Sequence, residues 1–340
     1  MKRRFREGDF IETRQGLIFD VKGVVHPPDK VIAFIRYYPS KTGKRKSGEL
    51  SYEKVYSLSR RYAWLKKNFP EYLVYDSIFD EVLCEVPKSD IKKVYVPVEV
   101  LRRIRKSEGL DLLERTILEM AYLLKSSAGI SWNAIGASGS IMVGLHTHSS
   151  DIDIVVYGSK NCRKVHSAIK ALFEEHSCPL KPYGLVNLRR LFAFRSKDTY
   201  MGFEDFVKVE SRKVYQGKFG DRDYFVRFVK DWNETEERYG DVSYRNCGYV
   251  KIEATVVDDV NAIFTPCTYK IEDVKVIEGP KLQPIREIAS FRGRFCEQAR
   301  NGENVIAQGK LEHVKDHRKD CEYFRLLLGN KPADYMILKH

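Results

Sequence analysis

Two aspartates at the start of one apolar segment are the strongest candidates for catalytic or metal-binding residues. Asp151 and Asp153 stand in the stretch GSIMVGLHTHSSDIDIVVYG, residues 139–158. Because side chains two apart on a strand point to the same face, the two carboxylates would lie side by side. Such a pair repels itself, and a hard cation such as Mg²⁺ relieves the repulsion. The alternative is that each aspartate pairs with an arginine or a helix N-terminus at the solvent end of the strand.

A glycine-serine turn precedes the aspartate pair and favours metal binding. Ten residues separate Ser140 from Asp151, and Gly144 follows four positions after Ser140. Gly139 allows a polyphosphate to approach the backbone closely, and the N–H groups at the start of a following helix attract phosphate. A phosphate-binding turn followed by paired carboxylates is what metal-assisted nucleotidyl transfer requires.

This stretch resembles the motif of the DNA polymerase β-like nucleotidyltransferase superfamily, and its spacing is most similar to that of the minimal nucleotidyltransferases. The residues that match the motif are Gly139, Ser140, Gly144, Ser150, Asp151 and Asp153. The resemblance implies that Gly139, Ser140 and Ser150 bind nucleotide and that the two aspartates bind metal. It further implies a mixed sheet with helices, a nucleoside triphosphate as substrate, and two Mg²⁺ ions as cofactors, with Mn²⁺ as the alternative. The resemblance covers about residues 108–177 and one later strand.

The superfamily uses a third carboxylate from a neighbouring strand, whose position the motif spacing does not specify. The segment YVKIEATV places Glu253 within an otherwise apolar strand, where an unpaired acid would be costly. We therefore expect Glu253 to be the third catalytic and metal-binding residue. Asp205 and Glu210 are the alternatives, although their surroundings look helical. A salt bridge to Lys251 or to an arginine is the structural alternative for Glu253.

Two features of the stretch depart from the superfamily pattern. Residues 141–143 are Ile-Met-Val, whereas many relatives carry an arginine or another polar residue there. Nucleotide binding would therefore depend on backbone groups or on distant cations. His146 and His148 could contact the nucleotide or the acceptor, but exposed turn residues without a role are the more common case. The letters HTHSSD differ from hydrolase metal motifs because the aspartate is displaced by one residue.

The length of 340 residues predicts two or three domains. Residues 1–96 have the pattern of a small basic α+β domain, with strands before and a helix after the basic loop KTGKRKSG. Residues 97–259 form the expected nucleotidyltransferase core, with a helical insertion at about 183–244 that includes RDYFVRFVKDW. Residues 260–340 consist of short strand-like segments, which predicts a barrel-like β-rich domain. The predicted class is α+β.

The charge is unevenly distributed and indicates a polyanionic partner. The chain has a net charge of +12, and residues 1–110 contain 24 Lys and Arg against 15 Asp and Glu. Together with the resemblance, this predicts RNA, for example tRNA, as the acceptor of the nucleotide. A protein or a small molecule is the second possible acceptor. A non-catalytic RNA-binding or nucleotide-sensing protein is the alternative of another class.

The cysteines and the apolar runs bear on localisation. The seven cysteines include no C-x-x-C pair, and the basic N-terminus lacks the apolar run of a secretory signal. No run reaches the length of a membrane span, so we expect a cytoplasmic protein that contacts no membrane. His313, His317 and Cys321 are spaced four apart and could hold zinc on a helix. Their flanks read as strands instead, which predicts a polar hairpin loop.

Overall fold

The computed structural model describes residues 3–339, which divide into two units. The first unit runs to Val74 and continues with Cys84–Pro182 and Val214–Glu236. The second unit contains Tyr75–Leu83, Tyr183–Lys213 and the chain from Glu237 onwards. Several sheets and seven α-helices occur in the described residues, so the predicted α+β class is confirmed.

The N-terminal part of the chain forms one eight-stranded sheet with a single α-helix. Its strands are β1 (Phe10–Thr13), β2 (Ile18–Val21), β3 (Lys30–Pro39), β4 (Arg45–Ser47), β5 (Leu50–Lys54), β6 (Leu73–Asp76), β7 (Glu81–Pro87) and β8 (Ile91–Tyr95). The order is β4-β5-β3-β2-β1-β8, and β7 pairs with both β3 and β6. Helix α1 (Leu58–Asn68) starts after Ser57, whose side chain accepts the Arg60 N–H, and packs Leu65 into the core of this sheet.

Two helices follow the first sheet, and their ends agree with the sequence signals. Helix α2 (Pro97–Lys106) has its proline at the first turn, where the missing N–H costs nothing. Helix α3 (Leu112–Ala128) begins with a capping box and ends at Gly129, whose φ of +59° is left-handed. The buried face of α3 consists of Leu113, Ile117, Met120, Ala121 and Leu124, as the helical spacing predicts.

The second sheet of the first unit is mixed and carries the aspartate motif. Its strands are β9 (Ile135–Ala137), β10 (Ile152–Tyr157), β11 (Leu180–Lys181), β12 (Gln216–Phe219) and β13 (Arg222–Val229). The order is β11-β12-β13-β10-β9, with β10 and β13 parallel. The short helix α4 (Gly139–Met142) lies between β9 and β10, and α5 (Ser159–Phe173) follows β10.

The second unit consists mainly of strands that close into a ring. Its elements are α6 (Leu185–Arg195), α7 (Phe203–Glu210), β14 (Val242–Asp258), β15 (Cys267–Glu278), β16 (Ile285–Ser290), β17 (Asn304–Asp316), β18 (Cys321–Leu328) and β19 (Tyr335–Leu338). The sheet order is β14-β15-β16-β18-β17-β19. Because β14 also pairs with β17, five of the six strands form a closed circuit.

Two parts of the sequence interpretation differ from the structure. The segment 222–229 is strand β13 and not a helix, because Tyr224, Val226 and Phe228 are buried with a period of two. Strand β14 joins the strands beyond residue 260 and does not return to the aspartate-bearing sheet. Among residues 3–339, no helix combines the length and the apolar composition needed to cross a membrane.

Candidate functional site

The glycine-serine turn is packed directly against one of the two aspartates. Gly139 has a φ of +70°, and a Cβ atom added to it would overlap Asp153 Oδ2 and lie 2.7 Å from Asp153 Cγ. The Ser138 N–H donates to the backbone oxygen of Asp153 at 2.9 Å, which fixes the turn to β10. Only glycine therefore suits this position, both for its backbone conformation and for the space beside the carboxylate.

The apolar residues after Gly139 and Ser140 belong to the core. Ile141, Met142 and Val143 retain between 1% and 7% of their exposure, and Ser140 is also buried. Burial explains the departure from the superfamily pattern, because a cation at these three positions would be placed in an apolar interior. The site therefore receives no charged side chain from this short helix.

Three aspartates lie on one face of two adjacent parallel strands. The register pairs Ile152 with Tyr224 and Asp153 with Phe225, and paired residues of neighbouring strands point to the same face. Ile152 and Tyr224 point into the core, so Asp151, Asp153 and Asp223 share the opposite face. Extending the register by one residue places Asp151 opposite Asp223, whose charge contributes to raising the pKa of Asp151.

The electrostatics of the aspartate pair favour a bound cation. Burial, followed by repulsion from Asp153, raises the pKa of Asp151 to about 6. Burial also raises the pKa of Asp153. Within residues 3–339, neither carboxylate forms a hydrogen bond or an ion pair, whereas Asp223 binds Lys218 Nζ at 2.9 Å. Unpaired carboxylate oxygens are the donors that a hard divalent cation prefers, so the residues fit Mg²⁺ or Mn²⁺.

The three aspartate side chains do not converge on one point as a complete set of metal ligands would. In the described part of the chain, no three His, Cys, Asp or Glu side chains come close enough together to hold an ion. Asp223 is turned towards Lys218, and releasing that exposed ion pair costs little.

The turn before Asp151 is held by two arginines. Arg45 donates to the Leu145 backbone oxygen at 2.5 Å and to Ser150 Oγ at 3.5 Å. Arg222 donates to the backbone oxygens of His148 and Ser150 at 2.8 and 3.2 Å. Ser150 is buried, and its hydroxyl accepts the Thr147 N–H at 2.9 Å. The structure thus shows Ser150 engaged within the turn that was predicted to bind nucleotide.

The histidines of this turn lie apart from each other. His146 Nε2 contacts Asp111 Oδ2 at 2.6 Å, and Asp111 also caps helix α3. His148 is exposed, and only its backbone oxygen takes part in a hydrogen bond, with Arg222. His146 therefore joins the turn to the start of α3.

Two cations of the first sheet act on the aspartate pair. Arg36 is the extra residue of a bulge in β3, because Ile18 and Phe19 of β2 face Tyr37 and Ile35. Burial and the charge of Arg36 lower the pKa of Lys54, at the end of β5, to about 7. Both cations in turn lower the pKa of Asp153, against the larger effect of burial. The sequence analysis missed both residues, because their proximity depends on how the first sheet packs.

A buried ionic cluster borders the same face. Glu7 accepts hydrogen bonds from Lys22 Nζ at 2.9 Å and from Arg227, and its side chain is fully buried. Lys22 also binds Asp20 at 2.8 Å. Burial alone would raise the pKa of Asp20, but the charges of Lys22 and Arg227 outweigh this effect and lower the pKa to about 2. Arg227 and Lys22 are therefore neutralised within this cluster.

The structure does not bring Glu253 into the aspartate-bearing sheet. Glu253 lies on β14 in the closed sheet of the second unit, where its carboxylate accepts a hydrogen bond from Lys339 that lowers its pKa. The expectation that Glu253 lies on a strand neighbouring the aspartate pair was wrong, because β14 pairs with β15 and β17 instead. Of the alternatives, Asp205 and Glu210 lie on α7, and Glu210 binds Arg195 and Lys213.

Asp223 was missed because its strand was interpreted as helical. The usable signal was the alternation of buried Tyr224, Val226 and Phe228 behind the turn at Gly220. That period of two would have placed an aspartate at the start of a second strand, as in β10.

The spaced histidines near the C-terminus do not form a zinc site. His313 lies on β17 and contacts Glu322 at 3.1 Å, whereas His317 Nε2 contacts Ser243 Oγ at 3.0 Å. Cys321 begins the next strand, β18, opposite Asp316. The predicted strands on both sides of a polar hairpin are confirmed.

Fold and site together define an α+β protein whose first unit presents three aspartates on one face of a mixed sheet. No protein-family profile and no solved structure matches the chain. The chain is 34% identical over 338 residues to the uncharacterized protein MJ1086 of Methanocaldococcus jannaschii. The alignment covers 97% of this chain and 96% of the relative, so the chain belongs to the same family as that protein.

Proposed function

We propose that the protein is a Mg²⁺-dependent nucleotidyltransferase that moves a nucleoside monophosphate from a nucleoside triphosphate to an acceptor hydroxyl. The observation that carries the proposal is the set of three aspartates on parallel strands β10 and β13, beside a glycine turn that packs directly against Asp153. In the reaction, the acceptor oxygen forms a bond to the α-phosphorus as the bond to pyrophosphate breaks.

In this proposal the three aspartates are the metal ligands. Asp151, Asp153 and Asp223 would hold two divalent ions, which when bound lower the pKa of the acceptor hydroxyl and neutralise the charge of pyrophosphate. Gly139 allows the triphosphate to approach the backbone, and Ser140 follows it in the same turn. Positioning and charge neutralisation supply most of the acceleration, so the site needs no separate general base.

RNA is the proposed acceptor, and tRNA is one example. The surplus of nine positive charges, 24 against 15, within residues 1–110 supports a polyanionic partner. These residues belong to the unit that carries the aspartates, apart from the segment Tyr75–Leu83. A protein or small-molecule acceptor would instead be modified at a rate that depends little on salt.

The test is transfer of label from each α-labelled nucleoside triphosphate to total RNA or lysate in the presence of Mg²⁺. We expect labelling by the wild type and none by the Asp151→Ala/Asp153→Ala variant. A non-catalytic protein would label nothing, and labelling that survives in the double variant would also refute the proposal.

A matched pair of variants tests the third carboxylate. Asp223→Asn should lower the rate by about 10²-fold or more, because it removes one metal ligand. Glu253→Gln should leave the rate within about twofold, because Glu253 binds Lys339 in the other unit. Equal effects of the two substitutions would contradict the assignment of Asp223.

A further inference from the structure

Arg36 and Lys54 are two partly buried cations that have no anionic partner in the described residues. Neither side chain forms a hydrogen bond or an ion pair with residues 3–339. Both lie near one aromatic ring: Lys54 Nζ is 4.6 Å and Arg36 Cζ is 6.0 Å from the ring centre of Tyr56. Desolvated cations of this kind are costly unless a ligand compensates their charge.

Other cations that act near the aspartates are already engaged. Arg45 is bound to Leu145 and Ser150, and Arg227 is bound to Glu7. Arg36 and Lys54 differ from them because they form no ion pair in the described residues. Their charges act only at longer range, on Asp151 and Asp153 and, for Arg36, also on Asp20. The site therefore holds unpaired carboxylates and unpaired cations at the same time.

A complex of a divalent ion with a polyphosphate complements both sets of charges. The ion satisfies the carboxylates, and the phosphate oxygens accept from the guanidinium and the ammonium group. Residues 141–143 cannot take this role, since their side chains are apolar and buried. Arg45 of β4 donates to Leu145 and Ser150 just before Asp151. Because β4 pairs with β5, and β5 pairs Lys54 with Tyr37 of β3, this edge of the first sheet borders the aspartates.

We propose that Arg36 and Lys54 bind the triphosphate of the nucleotide, so that the first sheet supplies the cations that the glycine-serine helix lacks. This inference rests on the proposed function and adds the residues that recognise the polyphosphate. The N-terminal segment is on this basis part of the catalytic site and not only a surface for RNA.

The test uses linear inorganic tripolyphosphate with Mg²⁺ as the probe, because it needs neither a base nor an acceptor. Isothermal titration calorimetry should show binding to the whole wild-type protein, with Arg36→Ala and Lys54→Ala each weakening it about tenfold or more. Lys54→Arg should retain most of the affinity. Lys46→Ala is the matched control, because Lys46 is an exposed lysine on β4 of the same sheet.

A second titration with Mn²⁺ alone distinguishes recognition from a merely structural role. Removing a cation beside the carboxylates should leave Mn²⁺ affinity unchanged or increase it, because the cation repels the ion. A loss of affinity for both Mn²⁺ and tripolyphosphate would mean that the substitution disturbs the fold, and it would overturn the inference. Tripolyphosphate binding that is absent from the wild type, or unaffected in both alanine variants, would also overturn it.

The two proposals fail in different ways. If tripolyphosphate binding depends on Arg36 and Lys54 but no label is transferred, the nucleotidyltransferase proposal is wrong and the polyphosphate site stands. If transfer depends on Asp151 and Asp153 but not on the two cations, only the present inference is wrong.

Discussion

Asp151 should destabilise the metal-free protein, so that Asp151→Asn increases the free energy of unfolding at neutral pH. In the folded state its pKa rises from 3.8 to about 6 through burial and the charge of Asp153. A shift of about two units corresponds to about 3 kcal/mol if nothing screens it. Because Asp151 is exposed in part, solvent screening reduces the expected gain to roughly 1 kcal/mol, or about 1–2 °C in Tm.

The pH dependence follows from the sign of this shift. The folded protein binds the Asp151 proton more tightly than the unfolded chain does. Below about pH 4 the carboxyl is protonated and therefore does not lower the free energy of unfolding. Its cost grows as the pH rises through about 6 and is constant above about pH 7. The difference in unfolding free energy between Asp151→Asn and the wild type should therefore be near zero at pH 4 and reach its full value at pH 7.5.

Urea unfolding with EDTA, followed over this pH range, measures the difference. Asp221→Asn is the control, because it makes the same chemical change at an exposed turn between β12 and β13. Adding Mn²⁺ should reverse the order, since an ion at a hundred times its Kd stabilises the wild type by about 2.7 kcal/mol. If Asp151→Asn is the less stable protein at pH 7.5 in EDTA, the argument from carboxylate repulsion is wrong.

Two further predictions concern the packing and the buried charges around the site, the first with a matched control. Gly139→Ala should cost about 2–4 kcal/mol of unfolding free energy and abolish Mn²⁺ binding, because the methyl group would overlap Asp153 and the φ is positive. Gly144→Ala, with φ +67° and open space around it, should cost only about 1 kcal/mol, and equal losses would contradict the role of the overlap. Glu7→Gln should lower the stability by about 3 kcal/mol in urea unfolding, because it removes the buried charge that compensates Arg227. An unchanged urea midpoint for Glu7→Gln would show that Asp20 alone compensates the charges of Lys22 and Arg227.

The amino-acid sequence by itself determined the local features of this protein. The spacing of Gly139, Asp151 and Asp153, the alternation of β10 and the caps of α3 all depend on residues close together in the chain. Such features follow from backbone geometry and from local hydrogen bonds. They were sufficient for the α+β class and for the carboxylate pair.

Which residues from distant parts of the chain lie beside the aspartate pair depends on tertiary packing. Asp223 lies beside the aspartate pair because β13 pairs with β10, whereas Glu253 lies on β14 of a different sheet. Strands β10 and β13 are some 70 residues apart in the chain, so their pairing depends on the packing of whole sheets. The apolar pattern of one strand is compatible with several neighbouring strands and does not identify its partner. The charges of Arg36 and Lys54 act on Asp153 for the same reason, since a bulge in β3 and the packing of the first sheet set the positions of these two cations.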